Sequence, residues 1–240
     1  MVQKYRDLKV LILCGGKGER LKPLTESVPK PLVKIKDRPI LSYLLSHFES
    51  YGFREFVIAV GYKSDALIQY FKQNHRNLKI EIVNSGDVDI IERIKDAAKY
   101  LSDDFIVSYG DTLADVDLEG LIRFHGGHDG DVSVTCYPLQ SQFGVLEISD
   151  NGKVASFVEK PVLDKWINIG YFYFSQRIMG KVRKHNRFLD FLRETIHENK
   201  LYSYKHRGLH ITVNTIKELR EAERNITRLE ENAGRVRNAG

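Results

Sequence analysis

A Gly-Gly-Lys-Gly-Glu-Arg string at 15–20, a lysine at position 30 set between Pro29 and Pro31, a Gly110-Asp111 step and a Glu159-Lys160 pair have the types and spacing that could do chemistry. Gly15, Gly16 and Gly18 lack a Cβ, so their backbone N–H groups can approach phosphate oxygens closely. Arg20 offers a planar fork of donors to the same kind of oxygen. Lys30 offers a point charge, and its flanking prolines stiffen the backbone that carries it. Asp111 follows an apolar run. It offers a carboxylate to a hard cation, its plainer role being a turn residue or helix cap. Such a set suits a polyanionic ligand, whose charge must be neutralised and whose geometry must be fixed. The string is neither G-x-G-x-x-G nor a P-loop ending in Gly-Lys-Ser/Thr, and 21–23 (Leu-Lys-Pro) argue against an immediate long helix.

The hydrophobic pattern shows which elements must position these residues. Residues 10–14 form a continuous apolar run, the mark of a strand buried on both faces, and it delivers the chain into Gly15. Residues 55–60, 78–83 and 104–109 read as further strands. Apolar residues recur at helical spacing over 40–51, where Gly52 is placed to end the helix, and over 64–71 and 90–101. This alternation predicts a doubly wound, mostly parallel sheet with helices on both faces. The second half reads differently. A short helix at 118–124 precedes strands at 131–137, 144–148, 153–157 and 167–174, and Asp150-Asn151-Gly152 is a hairpin signal between the middle two. A helix at 186–200, a strand at 201–206 and a charged helix from 215 follow. The expected architecture is one α/β domain over 1–224, an αβα sandwich with an inserted antiparallel section, with halves at 1–115 and 116–224 and a C-terminal tail at 225–240, frayed over 232–240.

Composition sets outer limits. The chain has 240 residues, 42% apolar, enough for a sizeable core and too many for a wholly disordered chain. Its net charge of +5 suits anionic ligands and does not by itself imply nucleic acid, so no nucleic-acid partner is expected. Two cysteines cannot build a disulfide framework; Cys14 and Cys136 read as buried thiols in a reducing compartment. No apolar run approaches the ~18 residues of a membrane span, and the first one is too short for a signal segment, so a cytoplasmic location is expected. His125 and His128 sit in a Gly-rich stretch without a third ligand and read as structural. Trp166, Tyr171 and Tyr173 read as core or pocket wall.

The opening G-G-x-G-x-R-L and its following P-K-P resemble the signature of the sugar-1-phosphate nucleotidylyltransferases, and the resemblance continues along nearly the whole chain. Y-G-D at 109–111 resembles that family's strand-end metal aspartate. F-G-V-L at 143–146 resembles its sugar-pocket segment, V-E-K-P at 158–161 its sugar-phosphate motif, and I-N-I-G-Y-F at 167–172 its N-x-G-x-Y/F segment. The resemblance implies a Rossmann-like nucleotidyltransferase fold whose first half binds a nucleoside triphosphate and whose second half binds a sugar 1-phosphate. It implies Mg²⁺-dependent attack of the sugar phosphate on the α-phosphorus, with pyrophosphate leaving. The triphosphate would lie on Gly15, Gly16, Gly18 and Arg20, with Leu13, Cys14, Ser85, Gly86, Tyr109 and Gly110 around the nucleotide. Lys30 would sit on the α-phosphate, which makes Arg20, Lys30 and Asp111 the catalytic set. Lys160 would hold the sugar phosphate and Glu159 and Asn168 the hydroxyls. Gly144 would leave room for the ring, and Gly170 belongs to the same pocket.

Two segments depart from the family pattern. Many relatives place an Asp near the final strand-to-helix turn, where this chain has Val213-Asn214-Thr215. That string resembles the N-acetylglucosamine-1-phosphate uridylyltransferase branch, whose Asn is a metal ligand. The resemblance thus makes Asp111 and Asn214 the Mg²⁺ ligands, with a helix cap as the alternative role for Asn214. At 84–93 the chain keeps Gly86 but carries Ile90-Ile91-Glu92 where relatives have small residues. Arg93-Ile94-Lys95 and Y-G-D-T-L-A-D-V-D look closest to glucose-1-phosphate cytidylyltransferases, whereas L-C-G-G-x-G-x-R-L is shared with heptose-1-phosphate guanylyltransferases. CTP is therefore placed ahead of GTP. The same departures would suit a catalytically silent regulatory module, and related folds activate non-sugar phosphates such as phosphocholine. Homo-oligomerisation is open, because relatives form dimers, tetramers and larger assemblies.

Overall fold

In the computed structural model, which describes residues 8–101 and 103–239, β1 (Lys9–Cys14) runs through the middle of a seven-stranded sheet. Its KVLILC sequence is apolar on both faces: Val10 and Ile12 pack into one core layer and Leu11 into the other. A short helix α1 (Leu24–Ser27) and a minimal hairpin, β2 (Lys34–Ile35) with β3 (Arg38–Pro39), occupy the proline-rich stretch. Then α2 (Ile40–Ser50), β4 (Glu55–Val60), α3 (Ser64–Gln73), β5 (Lys79–Asn84), α4 (Ile90–Ala97) and β6 (Phe105–Tyr109) follow the expected alternation. These strands are parallel, in the order β6-β1-β4-β5. The chain leaves β1 on one side and returns on the other, opening a crevice beyond the C-terminal ends of β1 and β6, where sheets of this kind bind ligands.

β7 (Thr112–Ala114) follows β6 directly, and α5 (Leu118–Gly126) leads into β8 (Val132–Gln140). The hairpin of β9 (Val145–Ile148) and β10 (Val154–Val158) stands apart as a two-stranded sheet. β11 (Val162–Phe174) re-enters the main sheet between β8 and β6, antiparallel to both. After α6 (Met179–Val182) and α7 (Phe188–His197), β12 (Leu201–Lys205) adds a parallel edge beside β8. β13 (His210–Thr212) pairs with β7, outside the main sheet. The last helix, α8 (Ile216–Ala239), overturns the expected tail at 225–240. It runs on past Arg224, and Ile226 and Leu229 are buried in the core layer that holds α2. Ala222, Ile226 and Leu229 form an apolar stripe at helical spacing, diluted in sequence by the charges between them.

A buried polar chain lies at the sheet end opposite the crevice. Gly130 N–H donates to His128 Nδ1 (3.0 Å), so His128 carries its proton on Nε2 and donates it to Ser133 Oγ (2.9 Å). Ser133 in turn donates to His125 Nδ1 (2.8 Å), and His125 Nε2–H donates to Ser175 Oγ (2.8 Å). Every ring nitrogen is used with both imidazoles neutral. Burial pulls His125 down to about 4, and it does the same to His47 and His210. The unfolded chain takes up these protons below pH 6.5 and the folded chain only near pH 4. The stability these groups contribute is therefore complete above pH 6.5 and is lost as pH falls to 4, about 3 kcal/mol per histidine. Urea unfolding midpoints are expected to drop steeply between pH 6.5 and 4.5. A midpoint flat across that window would contradict the neutral assignment.

Candidate active site

β1 ends at Cys14, and the chain turns into the crevice through 15–18. Gly18 has φ 63°, and a Cβ there would lie 2.9 Å from Thr25 Cγ2 and 3.0 Å from Lys30 Cβ. Glycine is thus required both by the turn and by its packing on Lys30. Two single-turn segments, Glu19–Leu21 and Lys30–Leu32, fold Arg20 and Lys30 back over the same space. The Lys30 side chain is 9% exposed, yet its ammonium donates to Asp111 Oδ2 at 2.7 Å and Asn214 Oδ1 at 2.9 Å. Arg20 Nη2 donates to the same Asn214 oxygen at 3.0 Å.

The β7–β13 ladder brings Asn214 to Asp111. Thr212 lies opposite Thr112, so the residue before β7 and the residues after β13 meet at one end of the pair. The helix-cap alternative for Asn214 is not realised: Thr215 Oγ1 accepts from Glu218 N at 3.2 Å, and Glu218 Oε2 reaches back to Asn214 N at 2.5 Å. Thr215 starts the helix, and the Asn214 side-chain oxygen is left to Lys30 and Arg20.

The other wall is held by Arg93, on α4 and 5% exposed. Its guanidinium donates to Val60 O (3.1 Å), Gly15 O (3.3 Å), Gly86 O (2.9 Å) and Val88 O (3.2 Å). One side chain thereby ties together the ends of β1 and β4 and the loop after β5. A Cβ on Gly15 would fall 1.8 Å from Arg93 Nη1, so Gly15 leaves room for the guanidinium. Burial pulls the Arg93 pKa down, and Asp87 pushes back. Across the mouth, Lys17 pairs with Asp87 at 2.6 Å, an exposed contact of small energetic worth. Between these walls lies a cavity of about 520 Å³ lined by the 15–20 loop, Lys30, Asp111, Asn214, Tyr109 and the Val88–Ile90 side.

A family model described as nucleotidyl transferase matches residues 9–233. The chain belongs to the nucleotidyl transferase family. A probable glucose-1-phosphate cytidylyltransferase of Bacillus subtilis is 30% identical over 90% of this chain and 95% of its own length. The mannose-1-phosphate guanylyltransferase catalytic subunit beta of Xenopus tropicalis is 34% identical over 73% of this chain and 52% of its own. The crystal structure of HddC from Yersinia pseudotuberculosis has a TM-score of 0.71 at 27% identity, covering 91% of this chain and 99% of that one. These relatives are sugar-1-phosphate nucleotidyltransferases by name or share the fold, and the chain is a transferase of that type.

Within this nucleotidyl transferase, Leu13, Cys14, Gly15, Gly16, Gly18, Arg20, Lys30, Tyr109, Asp111 and Asn214 all line the cavity. Ser85, Gly86 and Gly110 do not. Gly86 serves it through the carbonyl that Arg93 holds, and Gly110 N donates to Leu13 O (3.0 Å), joining β6 to β1. Burial raises the Cys14 thiol pKa far above its usual range, so Cys14 is wall and not nucleophile. The bulky 90–92 segment does not fill the cavity. Ile90 faces it, Ile91 is fully buried in the core, and Glu92 turns away to pair with Lys95 at 2.8 Å.

None of the residues expected to hold the sugar lines the cavity: Asn168 and Gly170 adjoin it at Tyr109, while Gly144, Glu159 and Lys160 are not brought to it. Asn168 Nδ2 donates to the Tyr109 hydroxyl at 3.3 Å, which links the two sides. Glu159 and Lys160 are exposed neighbours 3.9 Å apart. The space that Gly144 leaves is taken by the Phe157 ring, and the space at Gly170 by Tyr109, so here these glycines make room for side chains of the chain itself. Sequence reasoning missed the Arg93 clamp. The signal was available: an arginine on the apolar side of a helix, between Ile90, Ile91, Ile94 and Ala97, must either snorkel or find several acceptors.

Asp111 and Asn214 fit a hard cation. One carboxylate and one carboxamide oxygen already converge on a single positive group, the Lys30 ammonium, and Mg²⁺ takes such oxygens while keeping waters and substrate phosphates as its remaining ligands. Among the described residues no group of three His, Cys, Asp or Glu side chains offers a competing site. Asn214 in place of a second carboxylate leaves this pair one negative charge weaker.

Proposed function

We propose that the chain, a cytoplasmic enzyme, joins a nucleoside triphosphate to a sugar 1-phosphate, releasing pyrophosphate, with CTP ahead of GTP as donor and Mg²⁺ as cofactor, in nucleotide-sugar synthesis for surface polysaccharide or glycoconjugate. The observation that carries it is the convergence of Lys30, Arg20, Asp111 and Asn214 at one end of a cavity that opens on a glycine-rich turn. The nucleophile is already an anion, so the site needs charge and alignment more than proton transfer. The 15–18 backbone and Arg20 receive the β- and γ-phosphates. Lys30 balances charge that develops at the α-phosphate, and its packing on Gly18 fixes where that charge sits. Mg²⁺ held by Asp111 and Asn214 would add charge neutralisation on the triphosphate. Lys160 supplies the cation for the incoming sugar phosphate, and Glu159 and Asn168 orient the ring.

CTP is favoured by the Arg93-Ile94-Lys95 segment and by the cytidylyltransferase name of the relative that matches over nearly its whole length. GTP is the rival, from the guanylyltransferase relative and from HddC, whose structure was also solved complexed with GMP-PN, at 28% identity. The test is pyrophosphate release for CTP, GTP, UTP and dTTP crossed with sugar 1-phosphates and phosphocholine. One triphosphate, CTP, is expected to dominate with a sugar acceptor, and chelation of Mg²⁺ is expected to cut the rate by at least ~10². Nucleotide binding without pyrophosphate release from any pair would point to the silent module. Transfer to phosphocholine alone would replace the sugar.

A further inference from the structure

Trp166, the single tryptophan of the chain, is neither core nor a bare pocket wall. It is partly buried on β11, two residues before Asn168 and on the same strand face, about 7 Å away at the rise of a strand. Two cations stand over its ring: Lys205 Nζ at 5.0 Å and Arg207 Cζ at 4.9 Å from the centroid. Strand register places them there. Asn168 pairs with Cys136 on β8, and Cys136 pairs with Lys205 on β12, so Lys205 lies about 10 Å across the sheet from Asn168, on the same face. Among the described residues neither cation makes an ion pair, and Asp164, on the same strand as Trp166, pairs with neither. Two positive charges held on one indole without a counter-carboxylate form a concentrated positive potential. A guanidinium over a ring also keeps its N–H edge directed outward, ready for a bidentate anion.

We propose that Trp166, Lys205 and Arg207 form an anion subsite beside the acceptor pocket, and that the acceptor is a sugar 1-phosphate bearing a second anionic group, a phosphate or a carboxylate, on the far side of its ring. This rests on the sugar-transfer reading above. The 1-phosphate belongs to Lys160 and the reacting centre, Asn168 meets the ring, and the second anion reaches Lys205 and Arg207. A neutral sugar would leave those two exposed charges to solvent and gain nothing from them.

Two readouts on the full chain test it. Pyrophosphate release is compared for 1-phosphates of glucose, mannose and N-acetylglucosamine, their 1,6-bisphosphates and glucuronic acid 1-phosphate. For whichever ring turns over, the doubly anionic acceptor is expected to show at least a tenfold higher kcat/KM, and that advantage should fall below twofold in Lys205→Ala/Arg207→Ala. The bisphosphate and the uronic acid distinguish phosphate from carboxylate. Separately, Trp166 emission is expected to change saturably with glucose 1,6-bisphosphate at tenfold lower concentration than with glucose 1-phosphate, and to lose that difference in the double variant. Equal kcat/KM for the two acceptor classes, or an advantage that survives in the double variant, overturns the subsite. Silence with every acceptor alongside a bisphosphate-specific Trp166 response would sink the transfer reaction and leave the anion site standing. Silence in both readouts removes both.

Discussion

Lys30→Ala should lower kcat by about 10²–10³, with the fold retained. Among the described residues Lys30 is the one cation that touches both oxygens proposed for the metal, Asp111 Oδ2 at 2.7 Å and Asn214 Oδ1 at 2.9 Å. Its side chain is 9% exposed, and its backbone is held by Pro29, Pro31 and the close contact with Gly18. A charge so placed needs no reorganisation when charge builds at the α-phosphate, and a fixed charge near a developing one is worth far more than a mobile one in water. The loss should therefore fall on kcat more than on KM. Stability should change little, because Asp111, 36% exposed at its side chain, can recruit water when the lysine is gone. A melting temperature within about 4 °C of the wild type corresponds to roughly 1 kcal/mol in a chain of this size. Wild-type turnover would remove Lys30 from the mechanism. A collapse of the melting temperature would make it a structural residue.

The second large effect is expected at Arg93. Arg93→Ala removes donors from four carbonyls on three separate segments. A hydrogen bond to a charged group contributes about 1.5–3 kcal/mol, but carbonyls facing the cavity can be rehydrated, so a net loss of about 3 kcal/mol is expected. The nucleotide KM should rise at least ~10-fold, the 1.4 kcal/mol that a loosened 15–18 turn and 86–88 loop would cost in binding. Arg93→Lys should rescue only part of this, since one ammonium cannot span three segments. Gly15→Ala should reproduce the defect by driving a methyl group into the guanidinium, 1.8 Å from Nη1. The decisive comparison is the double variant. If Arg93 is the obstacle, Gly15→Ala should cost much in the wild type and little in the Arg93→Ala background. Additive losses, or unchanged nucleotide KM in Arg93→Ala, would discard the clamp.

Much of this molecule could be read from local pattern. The run at 10–14 is apolar at every position except its polar flanks, so only a central strand could use it, and β1 lies there with β4 and β6 on either side. The strand–helix alternation up to Tyr109 follows from periods of 2 and 3.6 that each segment carries by itself. The Asp150-Asn151-Gly152 turn likewise specified the β9–β10 hairpin. The boundary at 224 failed because the charged residues of α8 mask a three-residue stripe, Ala222, Ile226 and Leu229, whose partner on α2 is far away in sequence.

The chemistry divides along the same line. Residue type and spacing alone determined that a strand delivers a glycine-rich turn, that Arg20 and Lys30 follow it within fifteen residues, and that an aspartate ends a later strand, because these are properties of neighbouring residues. Only the tertiary structure decided that Asn214 meets Asp111 across Lys30, that Thr215 and not Asn214 caps the last helix, and that Arg93 turns inward to hold three loops. Each of those outcomes depends on distance between residues remote in sequence. The β7–β13 ladder and the parallel strand order set those distances, and no local propensity encodes them.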